Sequence, residues 1–175
     1  MNSKHLILGT GPLGQSIMRA LQTRANADIT MVNRSGQRHA DIPDSVQLVA
    51  ADLYDADTVA HLTQNADVVY QCAQPTYTEW KEKFPPLQTA ILDGVSRGDA
   101  KLIVGENLYM YGDTDGAPIH RHLPHKPHGT KGTVRTAMTA QLRDAHAQGK
   151  VRVAMARGSD FYGPGVRQAL IGERV

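Results

Sequence analysis

Cysteine and net charge are both scarce in this sequence, and each shortage narrows the possible functions. Cys72 is the only cysteine among 175 residues, which excludes a disulfide framework and fits a reducing, cytoplasmic location. Nineteen Lys and Arg residues stand against 17 Asp and Glu residues, for a formal charge of only +2. That small excess argues against nucleic acid as the main partner, and we expect none.

Long apolar runs are also missing. No stretch reaches the roughly 20 apolar residues that cross a bilayer, so we expect no membrane partner. Glycines interrupt the first apolar run early, which argues against a secretory signal. The length suits one domain with a substantial core, and we expect residues 1–175 to form a single domain.

The stretch from His5 to Gly14 joins a short apolar run to three glycines spaced G-x-G-x-x-G. Apolar residues then recur at helical spacing, which predicts a strand, a tight turn and a helix. In such a turn the glycines allow a sharp bend, close approach to a diphosphate and helix–strand packing. The alternative is a glycine-rich turn without a ligand. We expect a dinucleotide diphosphate at Gly9, Thr10, Gly11, Pro12, Leu13 and Gly14.

Alternating strands and helices predict the fold class. Helices are predicted between most strands, including residues 84–97, with Pro85 and Pro86 in or before the first turn, and residues 133–148. This alternation is typical of an α/β, doubly wound parallel sheet with strand order 3-2-1-4-5-6. Polar clusters follow the strands, and we expect them to meet at one edge of the sheet as a cofactor site. Further strands are predicted at 28–33, 46–50, 66–73, 101–105 and 151–156.

The end of the second predicted strand indicates which dinucleotide binds. It carries Asn33, Arg34 and Ser35, where a dinucleotide fold meets the adenosine ribose. An acidic residue there would favour NAD, and none is present. Arg34 supplies a guanidinium suited to the extra phosphate of NADP. We therefore predict NADP (or NAD), with NADP preferred; the alternative is that Arg34 is an exposed loop cation.

Taken together, these motifs resemble the short-chain dehydrogenase/reductase superfamily, most closely its extended and atypical branches of NAD-dependent epimerase/dehydratase-like proteins. The resemblance implies a Rossmann domain and an NAD(P)-dependent oxidoreductase or epimerase/dehydratase-like protein acting on a small carbonyl or hydroxyl substrate. It also implies cofactor contacts from Asp52, Leu53, Ala73, Gln74, Gly158 and Ser159. The matching segments lie at 9–14, 52–53, 69–73, 111–112, 131 and 160–165.

The resemblance implies a catalytic site with two departures from the family, at residues 107 and 127. Asn107 stands where the family has Ser or Thr, and Lys131 matches the lysine of Tyr-x-x-x-Lys, which contacts the cofactor ribose. The position of the family's tyrosine holds Pro127, which has no proton to give. Tyr109 is our candidate for the proton donor. The other phenols that follow strands are Tyr77 and Tyr162, and each of the three could instead be a packing residue.

Two functions remain open at this point. The first is an enzyme with Asn107, Tyr109 and Lys131 as catalytic residues, and we favour it. The second is a non-catalytic dinucleotide-binding sensor or regulatory module. Extended family members continue well past the sixth strand, and this later segment builds their substrate pocket. In the present sequence we expect that segment to be short or missing. We expect a truncated product, a minimal substrate site or a site completed by a partner, with a homodimer through the sheet edge as one form.

Four histidines crowd one loop of the sequence. Such clusters can bind zinc or copper, but this loop has no cysteine and is rich in proline and glycine. We expect a solvated loop over the active-site mouth and no metal. The four are His120, His122, His125 and His128.

Overall fold

A computed structural model describes residues 2–24 and 26–166, whose strands form one six-stranded parallel sheet. Two short 3-10 turns, Tyr77–Glu79 and Tyr109–Tyr111, follow the fourth and fifth strands. The strands are β1 (Ser3–Leu8), β2 (Ala27–Asn33), β3 (Gln47–Ala50), β4 (Val68–Gln71), β5 (Lys101–Glu106) and β6 (Arg152–Arg157). The helices are α1 (Pro12–Gln22), α2 (Ala56–Thr63), α3 (Trp80–Ser96) and α4 (Gly129–Ala147).

The order of the strands is β3-β2-β1-β4-β5-β6, which confirms the predicted doubly wound sheet. In its centre, Leu8 of β1 pairs with Val32 of β2 on one side and with Gln71 of β4 on the other. The direction of winding reverses between β1 and β4. Sheets of this kind bind ligands in the crevice that this reversal opens at the carboxyl ends of the strands.

Both faces of β1 are covered by helices. Successive residues of a strand point to opposite faces, so Ile7 packs with Met18 of α1, whereas Leu6 and Leu8 join the core beneath α2, α3 and α4. The carboxyl end of β1, where the glycine turn begins, is therefore held between two packed layers.

Helix α3 begins earlier than predicted. It starts at Trp80 rather than near Phe84, so the prediction that Pro85 and Pro86 lie in the first turn or before it was wrong. The prolines remove two backbone N–H donors inside the helix. The buried rings of Trp80 and Phe84 pack edge to face, 5.1 Å apart, and this packing stabilises the turn that the prolines weaken.

The remaining elements follow the predictions with shifted ends. Strand β4 ends at Gln71 rather than at residue 73, and α4 begins at Gly129 rather than at residue 133. The Asp55 carboxylate caps α2 by accepting a hydrogen bond from the Asp57 N–H at 3.1 Å.

No helix within the described residues is long and apolar enough to cross a membrane. The end of the chain, residues 167–175, on which the expectation of a short substrate segment depends, lies outside the described residues.

Candidate functional site

The turn after β1 depends on two glycines for its own geometry. Gly9 has a φ of +114°, and a Cβ there would lie 2.8 Å from the Ala73 nitrogen. A Cβ at Gly14 would lie 2.1 Å from the Gly9 carbonyl oxygen. Both positions exclude side chains because the backbone itself fills the space, which agrees with the predicted roles in bending the chain and packing the helix.

Gly11 differs from these two glycines. It is the N-cap of α1, and a Cβ there would meet no atom within 4 Å. Pro12 follows at the first helical position, and no side chain caps this end of α1, where the first N–H groups of a helix lack partners within the helix. The chain itself does not require a glycine at residue 11, whereas a diphosphate seated on the helix N-terminus does.

A cavity of about 1010 Å³ extends from this turn along the carboxyl edge of the sheet. Its volume is at the upper end of the range for small-molecule sites, and its lining combines backbone, polar and apolar groups. The residues therefore fit a dinucleotide. Its walls contain most of the predicted cofactor residues: Gly9, Thr10, Gly11, Pro12, Leu13, Asn33, Arg34, Asp52, Leu53, Ala73 and Gln74.

Several predicted residues lie beside the cavity without lining it. Gly14 lies beneath the turn, and Ser35 accepts a hydrogen bond from the Gln37 N–H at 3.2 Å in the loop after β2. Gly158 packs near the ring of Phe161, which does line the cavity. The other predicted residues outside the lining are Ser159, Asn107, Tyr109 and Lys131.

The loop after β2 is organised by Asn33. Its Nδ2 donates to the Gln37 carbonyl oxygen at 2.9 Å and to Thr10 Oγ1 at 3.3 Å, while its Oδ1 accepts from the Gly36 N–H at 2.6 Å. Asn33 thus ties this loop to the glycine turn. Within the described part of the chain, the Arg34 guanidinium has no hydrogen-bond or ion-pair partner, so it can meet a phosphate at this end of the cavity.

At the ends of β4 and β5, the structure joins two tyrosines that are distant in the sequence. The hydroxyl oxygens of Tyr77 and Tyr109 lie 3.1 Å apart, within hydrogen-bond distance. Lys131 Nζ lies 3.9 Å from the centroid of the Tyr77 ring, a cation–π contact. We call Tyr77, Tyr109 and Lys131 the phenol cluster.

Asn107 positions the phenol cluster. Its Oδ1 accepts a hydrogen bond from the Tyr109 N–H at 3.2 Å, which starts the short 3-10 turn. Helix α4 approaches the same turn closely, since a Cβ at Gly132 would lie 2.8 Å from the Tyr109 carbonyl oxygen. Lys131, the neighbour of Gly132, is thereby brought over the Tyr77 ring.

The hydrogen bond with Tyr77, together with burial, raises the pKa of Tyr109 to about 12. The negative charge of Asp160 acts in the same direction, and the positive charge of Arg135 opposes it. A phenol with this pKa is protonated at neutral pH and is a weaker acid than an ordinary tyrosine, so its proton is transferred only as negative charge develops on an acceptor. Tyr162 also lines the cavity but is 72% exposed, and it makes no hydrogen bond to the phenol cluster.

Glu106 and Arg157 form a buried ion pair behind this site. The Glu106 side chain is fully buried, and its Oε2 accepts from Arg157 Nε at 2.9 Å while its Oε1 accepts from Thr139 Oγ1 at 2.8 Å. Arg157 also donates to the Tyr111 hydroxyl at 2.7 Å. This network joins β5, β6 and α4. Through Tyr111 it also reaches the 3-10 turn that carries Tyr109 of the phenol cluster.

Two buried polar residues in the cavity wall, Arg135 and Gln71, were missed from the sequence. Arg135 lies on the face of α4 that also carries Val134 and Met138, and it is 4% exposed. The sequence did contain a signal for Arg135, because a charged residue stands there among the apolar residues of a helix face that is predicted to be buried. Gln71 ends β4 in an otherwise apolar strand and is 3% exposed.

The histidine loop forms no metal centre among the residues that the structure describes, where no group of three or more His, Cys, Asp or Glu side chains could hold an ion. His120 and His122 have ring centroids 6.3 Å apart, and His122 Nε2 accepts from Arg121 Nε at 3.0 Å. His125 packs edge-on against Tyr111, 5.3 Å away, and burial lowers its pKa.

Residues 6–175 match the model of the NAD dependent epimerase/dehydratase family. The chain belongs to this family. The match confirms the resemblance found in the sequence, and the family name confirms the predicted nicotinamide dinucleotide as cofactor and favours an NAD-dependent enzyme. The choice between NADP and NAD stays a prediction.

Solved structures with the same fold include several epimerases. UDP-galactose 4-epimerase is 20% identical with a TM-score of 0.80, over 94% of this chain and 59% of that one. UDP-glucuronic acid 4-epimerase from Bacillus cereus, in complex with NAD, is 19% identical with a TM-score of 0.76, over 93% and 59%. UDP-N-acetylglucosamine 4-epimerase from Methanobrevibacter ruminantium M1, in complex with UDP-N-acetylmuramic acid, is 16% identical with a TM-score of 0.79, over 98% and 60%.

At these identities the likeness shows the fold alone. The chain spans 59% to 60% of the length of these three structures. No curated protein matches the chain.

Proposed function

We propose that this chain, as one domain over residues 1–175, is an NAD(P)-dependent oxidoreductase or epimerase/dehydratase-like enzyme acting on a small carbonyl or hydroxyl compound. The observation that carries the proposal is the phenol cluster at the carboxyl ends of the strands beside the dinucleotide-sized cavity. When bound, the nicotinamide would supply hydride transfer. The chain would position the cofactor and the substrate and would donate a proton.

Each member of the phenol cluster has a role in this proposal. The Tyr109 hydroxyl turns from Tyr77 and donates its proton to the substrate oxygen, and the Tyr77 hydroxyl then reverses its role and donates a hydrogen bond to the phenolate that remains on Tyr109. Lys131, above the Tyr77 ring, supplies positive charge that stabilises this phenolate and contacts the cofactor ribose. The Asn107 Oδ1 is engaged by the Tyr109 N–H, so its Nδ2 is the atom that can donate to the substrate oxygen.

The proposal includes a preference for NADP, supported by Arg34 in the cavity wall and by the lack of an acidic side chain at the end of β2. Among the remaining predicted cofactor residues, Ser35 keeps its place at the end of β2 beside the adenosine ribose, and Gly158 and Ser159 keep the cofactor contacts that the resemblance implied. We also propose that the enzyme acts in the cytoplasm. A homodimer is included because β3 and β6 are the edge strands of the described sheet.

A second candidate function is a dinucleotide-binding sensor without catalytic activity. The observation in its favour is Pro127, which occupies the position of the family's proton-donating tyrosine. In this case the cavity would bind the dinucleotide, and the phenol cluster would have only a packing role.

Binding and turnover must be measured side by side to separate the two functions. Calorimetry gives the affinity for NADPH and NADH, and NADPH oxidation is followed against aldehydes, ketones, quinones and UDP-sugars. We expect Tyr109→Phe to retain NADPH affinity and to lose turnover by about a hundredfold or more. Lys131→Ala is expected to weaken both NADPH binding and turnover.

Tyr70→Phe is the matched control, because Tyr70 pairs with His5 on another part of the sheet, away from the phenol cluster. It should behave like the wild-type chain in both measurements. Tight NADPH binding without turnover of any compound would favour the sensor, and absence of binding to either dinucleotide would overturn both functions.

A further inference from the structure

Arg135 is a buried cation that has no counterion among the residues that the structure describes. Its side chain lies between aromatic rings, with Cζ 4.4 Å from the Phe84 ring centroid and 4.8 Å from that of Trp80. Among the described residues, none forms an ion pair with Arg135, and its buried Nε has no hydrogen-bond partner. Burying an unpaired charge is costly, so a guanidinium held in this way points to a partner from outside the chain.

The surroundings of Arg135 offer it no available carboxylate. Glu106 is the acidic side chain whose charge acts on Arg135, and its two oxygens are already engaged by Arg157 and Thr139. Burial lowers the pKa of Arg135 to about 10, so the guanidinium is still positively charged at neutral pH.

Gln71 shows the same lack of partners in the same cavity. Both Nε2 and Oε1 are buried, and neither has a hydrogen-bond partner among the described residues. Gln71 and Arg135 both line the cavity of about 1010 Å³. Since buried polar groups in proteins are almost always paired, two unpaired ones in one cavity wall indicate a polar ligand.

The position of Arg135 favours the substrate over the cofactor as the source of that ligand. Arg135 lies one helical turn after Lys131 on α4, and it stacks on Trp80. The Trp80 ring in turn contacts both tyrosines of the phenol cluster, at 5.2 Å from Tyr77 and 6.1 Å from Tyr109. The diphosphate site lies instead at the turn after β1, around Gly11.

We propose that Arg135 and Gln71 form a subsite for an acidic group of the substrate, a carboxylate or a phosphate. The guanidinium forks onto two oxygens of that group, and the Gln71 amide bonds a further oxygen. The substrate of this enzyme is therefore an anionic carbonyl or hydroxyl compound, held with its reacting oxygen toward Tyr109. This inference rests on the function proposed above.

The test measures anion binding rather than activity. Inorganic phosphate and malonate are titrated by calorimetry into the full chain, both free and saturated with NADP⁺. In the Arg135→Gln variant we expect the affinity for both probes to fall about tenfold to a hundredfold, the range for a lost charge-assisted hydrogen bond. Gln71→Leu should cause a smaller loss, about threefold to tenfold.

Arg143→Gln is the matched control, because Arg143 is an exposed arginine on the same helix. The affinity of this variant for the probes should stay within about twofold of the wild-type affinity. If Arg135→Gln does not fold, Arg135→Lys keeps the charge and loses the fork, and its affinity for phosphate should fall severalfold.

Three results would overturn the inference. The first is that the wild-type chain binds neither probe. The second is unchanged probe affinity in the Arg135 variant that folds, Gln or Lys, and the third is a tenfold loss of NADP⁺ affinity in that variant. The last would assign Arg135 to the cofactor. Failure of the proposed function is distinguishable, because it appears as NADPH binding without turnover, or as no binding of either dinucleotide, while the free chain can still bind the probes.

Discussion

The Tyr77 hydroxyl lies 3.1 Å from the Tyr109 hydroxyl, and this contact joins the loops that follow two neighbouring strands. It places a phenol pair at the carboxyl edge of the sheet, where doubly wound folds bind their ligands. Lys131 reaches the pair from α4, the helix that carries the family's lysine motif. The chain thus keeps a phenol and a lysine together although Pro127 occupies the usual tyrosine position.

The titration of Tyr109 tests the phenol pair directly. We expect its tyrosinate absorbance to appear near pH 12, and Tyr77→Phe to move it toward the ordinary value of about 10, because the hydrogen bond between the two hydroxyls is the main cause of the raised pKa. Because the pKa of Tyr109 is higher in the folded chain than in the unfolded chain, protonated Tyr109 contributes to the free energy of unfolding. This contribution is complete below about pH 10, the unfolded pKa, and is lost as pH rises through about 12, the folded pKa. An unchanged titration in Tyr77→Phe would contradict the pairing.

Gly14 and Gly11 of the first turn should respond differently to substitution by alanine. Gly14→Ala is expected to lower the free energy of unfolding by at least about 2 kcal/mol, because the new Cβ would overlap the Gly9 carbonyl oxygen. Gly11→Ala should change it by less than about 0.5 kcal/mol and should weaken NADPH binding, since its Cβ would fill the space of the diphosphate. Chemical denaturation and calorimetry measure the two effects. Wild-type NADPH affinity in the Gly11→Ala variant would contradict diphosphate binding at this turn.

Arg34 should decide between the two dinucleotides. In Arg34→Gln, the affinity for NADPH is expected to fall about tenfold, the loss of one charge-assisted contact to phosphate. The affinity for NADH should stay within about twofold, because NADH lacks that phosphate, and it serves as the internal control. Equal losses for both cofactors would show that Arg34 does not select NADP.

Glu106 should contribute strongly to stability. Glu106→Gln is expected to lower the free energy of unfolding by about 3–5 kcal/mol, because it leaves the Arg157 charge with little solvent and no carboxylate. Asp57→Asn is the matched control, since its ion pair with Arg97 is exposed and should cost less than about 1 kcal/mol. Denaturant titrations of both variants compare the two pairs, and similar losses would contradict a buried pair.

Much of the architecture could be predicted from local pattern. Strand order, the bend at Gly9 and the cap at Asp55 are encoded in the periodicity of apolar residues and in the residues that end each element. The end of the cavity at the glycine turn was predictable for the same reason, because its residues lie within one short turn. Helix α3 departs from its pattern at Pro85 and Pro86, where tertiary burial of Trp80 and Phe84 outweighs the local preference against helix.

The sequence by itself determined the strands, the glycine turn and the polar residues that follow β1, β2 and β4, because each depends on neighbours along the chain. Only the tertiary structure decided that Tyr77 meets Tyr109, 32 residues away, and that Arg135 is buried with no carboxylate paired to it among the described residues. These relationships depend on how closely loops and helices approach one another once packed. No local spacing encodes that approach, since it is set by side-chain volumes across the whole core.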